Sequence, residues 1–249
     1  MSEKQLYRVV NPLFEKMDIP MDTAQRVLTP RLQMTMALTP VFELIVEFWK
    51  NTGCQLDTAV HALNKLDLYG RMLELALNHG ELLFSAQNIN QQDLINFDTQ
   101  ELCEYIVKYN QLGICLYPEE EWAIWEYLWE VNRTKNYPQC ISRQDCLFMF
   151  SSVEDAKKYL QERQEEDRIY NKNSHLLDRI CKVEILDQQK AESYDMRWLD
   201  NISIFSTYNL YEKAVNHYWS GRMTKNPLKE VLFQGIYCIR ETLNIYYNH

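Results

Sequence analysis

From Thr39 onward apolar residues return every three or four positions, at Val41, Leu44, Ile45, Phe48 and Trp49, and the pattern stops at Gly53. That spacing predicts an amphipathic helix with Thr39 as N-cap, Pro40 at the first helical position and Gly53 as the stop. Helical signals continue past Gly70 and Gly80 and through a capping box, Asp98-Thr99-Gln100-Glu101, that opens Leu102, Tyr105, Ile106 and Tyr109. Pro118 then precedes Glu119, Glu120 and Glu121, carboxylates suited to the positive end of a further helix carrying Trp122, Trp125 and Trp129. Large aromatics on one helix face usually pack a core, so the tryptophan row is read as packing rather than a ligand-stacking box. The three glutamates read as a helix start and not a metal site, because adjacent helical residues point in different directions.

Elsewhere the period shortens. Leu6-Tyr7-Arg8-Val9-Val10, closed by Asn11-Pro12, reads as a strand, as does the continuous apolar run Cys146 to Phe150. After Ser151 a second helix is expected, capped by Ser152 with Asp155 three residues on and carrying Val153, Ala156, Tyr159 and Leu160 on its apolar face. Gln161 to Arg168 is polar and reads as a solvated helix end or loop. Ile180 to Leu186 alternates like a strand, Ser206 to Tyr218 reads as a helix ended by Gly221, and Glu230–Phe233 and Ile236–Ile239 read as two strands around Gly235. The class is α+β. Glu230 to Gly235 coincides with most of a picornaviral protease site used in expression tags, but Ile236 stands where that site has proline, and the segment is read as native.

With 6 Gly and 7 Pro in 249 residues there is no low-complexity linker and no glycine-rich phosphate loop. The formal charge of -9 argues against coating a phosphate backbone, though it leaves room for a local basic groove. Cys54, Cys103, Cys115, Cys140, Cys146, Cys181 and Cys238 contain no C-x-x-C pair, so they are expected as reduced thiols, with no zinc or other metal site. The start, Met1 to Gln5, is polar, and no apolar run approaches the roughly 20 residues of a membrane helix. A cytosolic protein without membrane contact is expected.

Several words in order carry a family resemblance: Glu130-Val131-Asn132-Arg133, Pro138, Ser142-Arg143, the strand entering Glu154-Asp155-Ala156, Asp195-Met196-Arg197-Trp198-Leu199-Asp200, Tyr218-Trp219-x-Gly221 and Pro227 to Leu232. Together they resemble a family of bacterial and phage domains that carries a domain-of-unknown-function label. Its layout in turn resembles an ADP-ribosyltransferase: Tyr7-Arg8 is similar to the first-strand Tyr-Arg, Phe150-Ser151-Ser152 to the second-strand element, and Glu230 to the late glutamate. The resemblance implies a transferase-like β core made of residues 1–37 and 136–249, with a helical insertion at 38–135.

It also implies NAD as substrate. Glu230 would be the catalytic carboxylate that stabilises an oxocarbenium-like ribose, Arg8 and Arg143 would bind phosphate or ribose oxygens, Ser151 would floor the nicotinamide pocket, and Phe150 or Phe148 would stack on the ring. Asp195, Trp198 and Asp200 are further candidates for the same cleft. The strands bearing Arg8, Phe150 and Glu230 are therefore expected to converge on one cleft; opposite faces would remove the case for an NAD site. Arginine-modifying relatives of this fold have an acid two positions before the late glutamate, where this chain has Leu228. The acceptor implied is a nucleic-acid base or a non-arginine protein side chain, in a toxin or phage-defence role with a neutralising antitoxin protein. The competing class is a non-enzymatic interaction module on a degenerate transferase scaffold.

Overall fold

The computed structural model describes residues 5–25, 38–60, 108, 111, 121–169 and 171–243. Gly70, Gly80, the capping box at Asp98–Glu101, Pro118–Glu120 and the side chain of Trp122 lie outside the described residues. The chain divides into two compact units: one of residues 1–29, 130–200 and 216–249, the other of residues 30–129 and 201–215. The second unit thus draws in residues 201–215, which the sequence division leaves with the β core.

In the second unit, α1 (Thr39–Thr52) ends at Gly53 in the left-handed conformation, as the periodicity predicts. Its N-cap is Leu38 rather than Thr39, and no side chain caps it; Pro40 suits the start because it has no N–H and needs no acceptor. Trp49 is fully buried, donates from Nε1 to the carbonyl of Ser206 at 3.2 Å, and meets the rings of Tyr208 and Tyr211 at 5.3 and 5.5 Å. In α2 (Glu121–Asn136) the deeply buried positions are Ile124 and Leu128, with Trp125 and Trp129 half-buried beside them. The tryptophans pack on each other at 6.4 Å, flanking the core stripe instead of forming it.

The first unit is built on a five-stranded antiparallel sheet: β1 (Leu6–Val10), β2 (Met21–Asp22), β3 (Leu147–Met149), β4 (Arg179–Asp195) and β5 (Lys229–Thr242). β4 and β5 pair from Cys181 opposite Thr242 to Asp195 opposite Lys229. β1 lies on the other edge of β4, while β3 and β2 lie on the other edge of β5. Tyr7 and Phe150 exchange two backbone hydrogen bonds at 2.8 and 2.7 Å, so the path β1–β4–β5–β3 closes on itself.

Strand alternation sorts the side chains into two faces. One carries Leu6, Val10, Met149, Val183, Val231, Phe233 and Ile239. The other carries Phe150, Ile180 and Leu228 with Tyr7 and Val9, covered by Ala156 and Leu160 of α3 (Val153–Ile169). One open expectation is decided here and another changes. Gln161–Arg168 is helix throughout, its polar surface laced by Arg163–Glu166 and Arg168–Glu165 pairs. Glu230–Phe233 and Ile236–Ile239 are one strand, because Gly235 is not a break: at φ 145° it passes Asp187, where β4 is irregular. The helix at Ser206–Tyr218 is α4 (Tyr208–Trp219), closed by Gly221 at φ 70°. Among the described residues no helix is long and apolar enough to cross a membrane, and the five described cysteines are free thiols.

A Cβ at Gly235 would lie 2.1 Å from the carbonyl oxygen of Asp187. Gly235→Ala is therefore expected to cost at least about 2 kcal/mol, through backbone strain plus the clash. A urea midpoint equal to that of the parent would contradict this account of the bulge.

Candidate active site at Glu230

Glu230 follows Leu228 on the helix-covered face and is 1% exposed. Its Oε1 accepts from Arg143 Nη1 at 2.5 Å and from the Tyr218 hydroxyl at 2.6 Å, and the same Nη1 donates to Tyr218 at 2.6 Å. A buried carboxylate is tolerable only with such partners. Glu230 Oε2 is buried too, yet has no hydrogen-bond partner among the described residues. Burial pushes the Tyr218 hydroxyl well above its ordinary range; Arg143 pulls the other way and Glu230 reinforces the rise, so Tyr218 stays a proton donor at neutral pH.

The family-like words explain how these groups are aimed. Glu130 takes a forked contact from Arg133, at 2.6 to 3.1 Å, and accepts from the Ser142 hydroxyl at 2.9 Å. Ser142 Oγ in turn accepts from the Gln144 amide at 3.1 Å, capping the short 3-10 turn Arg143–Asp145 that carries Arg143 to Glu230. Tyr218 is fixed by stacking on Tyr194 at 4.8 Å and by the edge of Trp219 at 4.8 Å. At the start of α3, Ser152 Oγ accepts from the Asp155 amide at 3.0 Å, the cap the sequence predicts, and Asp155 Oδ1 accepts from the Lys229 amide at 3.4 Å, one residue before Glu230.

Phe148 and Phe150 alternate onto the same face. The Arg143 guanidinium carbon lies 4.6 Å from the Phe148 ring centre, and Phe150 is buried against Tyr159 at 5.2 Å. Ser151 lines a depression of about 730 Å³ whose walls include Tyr7, Val153 and Lys182 but neither Glu230 nor Arg143.

Arg8 departs from the expectation, and the case for an NAD site built on Arg8, Phe150 and Glu230 sharing one face falls with it. It sits between Leu6 and Val10, so alternation turns it to the opposite face of the sheet from Glu230. There it binds Glu15 through Nε at 2.8 Å and through Nη2, donates from Nη1 to the carbonyl of Phe148 at 2.9 Å, and lies over Tyr237, whose hydroxyl donates to Glu15 at 2.9 Å. The residue of the Tyr7-Arg8 word on the Glu230 face is Tyr7. Arg143, by contrast, reaches Glu230, and Tyr218 is a partner that sequence reasoning assigned no role, although its Tyr-Trp-x-Gly word was visible.

The Asp195 word is structural at its first residue. Asp195 is fully buried and accepts four hydrogen bonds: from the Thr224 amide and hydroxyl at 2.7 Å each, and from the Arg197 and Leu228 amides at 3.0 Å each. Trp198 donates to the carbonyl of Arg222 at 2.6 Å and lies 4.5 Å from the ring of His217. Asp200 pairs with Arg163 and Arg197 at 3.2 and 3.4 Å; burial raises its pKa and the two arginines oppose the rise. Among the described residues no group of three His, Cys, Asp or Glu side chains is arranged to hold a metal ion.

Residues 63–244, well over half of the chain, match the model of a family described as a protein of unknown function, DUF2441, and the chain belongs to that family. No curated protein matches it. The match starts inside the segment expected as an insertion. It takes in Arg143, Phe148, Phe150, Ser151, Tyr218 and Glu230, whereas Arg8 and the rest of β1 precede it.

Burial opposes ionisation of Asp195, but the bonds from Thr224, Arg197 and Leu228 outweigh it and hold the carboxyl below its ordinary value of 3.8. A depressed carboxyl contributes stability that is complete above the unfolded-state pKa and is lost as pH falls through the folded-state value. Asp195→Asn is expected to cost about 2 kcal/mol or more at pH 7. The difference from the parent should shrink when urea midpoints are compared at about pH 3. A constant difference across that range would contradict the assignment.

Proposed function

We propose that the chain is an NAD-dependent ADP-ribosyltransferase whose reactive carboxylate is Glu230. The observation that carries the reading is the carboxylate itself: buried, oriented through one oxygen by Arg143 and Tyr218, and with Oε2 left without a partner. Cleaving nicotinamide from ribose builds positive charge on the sugar, and a preoriented carboxylate in a dry site is the group that stabilises it. The unused oxygen suits a ribose hydroxyl. Phe148 and Phe150 supply aromatic surface on the same face.

The reading is narrower than the one the resemblance implies. Arg8 has no part in it, and Arg143 is the cation that remains for the diphosphate. Leu228, fully buried in an apolar cluster, leaves no place for a second acid two residues before Glu230, in keeping with a nucleic-acid base or a non-arginine side chain as acceptor. A toxin or phage-defence role with a neutralising partner follows from the resemblance alone. One observation favours the second reading, a non-enzymatic interaction module: Glu230 is already paired with Arg143 and almost wholly covered.

Transfer of labelled ADP-ribose from NAD to fractionated RNA, DNA and protein separates the two, since an interaction module labels none of them. Glu230→Gln keeps the shape and loses the charge, and should lower transfer by about a hundredfold or more at saturating NAD. Equal rates for the variant and the parent would remove Glu230 from the chemistry and the enzymatic reading with it.

A further inference from the structure

At one end of the sheet the strand ends Val10, Arg179 and Thr242 lie side by side: Val10 pairs with Arg179, Thr242 pairs with Cys181, and the Leu243 amide donates to the carbonyl of Ile180 at 2.8 Å. Two loops adjoin there. One leaves β1 in a tight turn, with the Phe14 and Glu15 amides on the carbonyl of Asn11 at 3.0 and 3.2 Å; the other enters β4 through a turn in which the Asp178 amide meets the carbonyl of His175 at 3.2 Å. Both turn apolar side chains outward. Phe14 is 82% exposed, Leu13 69% and Leu176 63%; Leu177 is exposed next in sequence, as is Met17, whose Sδ lies 3.9 Å from Thr242 Oγ1. A single exposed leucine needs no explanation, but five such side chains on adjoining loops present on the order of 500 Å² of apolar surface, the upper end of what a monomer leaves uncovered.

We propose that this end of the sheet is a self-association surface, covered by a second copy of the chain about a two-fold axis. Area supports that occupant: a standard interface takes about 800 Å² from each partner as an apolar centre within a polar rim, and this patch is large enough to be that centre. Charge agrees with it. The chain carries a formal -9, so two copies repel over most of their surface, but two acids of the first loop are answered within the chain, Glu15 by Arg8 and Asp18 by Arg240 at 2.8 Å. The exposed Lys16 and Arg179 stand at the same end. An isologous contact uses the same patch on both copies and therefore closes at two. Glu230 lies at the other end of the β4–β5 ladder, opposite Tyr194, so the surface is separate from the candidate active site.

Sedimentation equilibrium of the full chain tests this without reference to transfer. At roughly 50 µM the parent should show about twice the 29.9 kDa of one chain. Phe14→Lys and Leu176→Lys replace exposed side chains, so melting temperatures should stay within about 2 °C of the parent, while each variant weakens the dimer by about tenfold or more. Each also lowers the net negative charge, so general repulsion between copies falls, and loss of the dimer reports the patch itself. A monomeric parent at that concentration, or a dimer that survives either substitution, would overturn the proposal. So would a monomeric parent that sediments with phosphatidylserine vesicles, which would give the patch to a membrane surface instead.

Discussion

The pairing of β4 with β5 is the constraint on which the first unit depends. It runs from Cys181 and Thr242 at one end to Asp195 and Lys229 at the other, and every other strand of the sheet attaches to one of these two. Because alternation is strict between irregularities, the register places Val231 and Phe233 on one face and Leu228 and Glu230 on the other. A carboxylate on the covered face must then be neutralised and hydrogen-bonded. The 3-10 turn at Arg143 and the end of α4 at Tyr218 supply what that position demands. The two faces resolve the same problem separately: Arg8 with Glu15 on one, Arg143 with Glu230 on the other, each pair joined by a tyrosine hydroxyl.

That symmetry of solution weighs on function. An arginine bound to a glutamate under a tyrosine is a sound way to bury charge and needs no substrate to explain it. What distinguishes the Glu230 pair is asymmetry within the carboxylate. Arg8 grips both oxygens of Glu15, whereas Arg143 and Tyr218 converge on one oxygen of Glu230 and leave the other. The chemical reading rests on that difference more than on burial or charge.

How much of this was legible in the residues follows from what pattern can encode. α1, β1, β3 and the Ser152 cap were readable, since apolar period and local capping chemistry are written into neighbouring positions. The second half of β4 was not: from Asp187 to Lys190 it is exposed and polar, and it is a strand only because β5 lies beside it. Gly235 imitated a break because a bulge and a turn ask for the same residue. The polar run of α3 left helix end and loop both open, because its apolar stripe ends before the helix does. At the candidate site, Glu230 and Arg143 were singled out through resemblance. Arg8 was misplaced by a parity that a Tyr-Arg dipeptide does not state: neighbouring residues in a strand face opposite ways, and one position decides the side. Tyr218 reaches Glu230 across a loop whose path no local pattern describes.

The bridge between Tyr7 and Phe150 has a consequence for where this domain ends. The family match opens at residue 63, but the strand that closes the sheet lies at residues 6–10, far upstream of it. A fragment cut to the match would leave the outer edge of β4 from Arg179 to Val183 and the backbone of Phe150 without their partners, and would uncover Ile180 and Leu147. Unpaired edges of that kind recruit other strands, from neighbouring molecules if none is supplied in the chain. The boundary drawn by sequence likeness is thus narrower than the one drawn by hydrogen bonding, and β1 belongs to the folding unit although it lies outside the match.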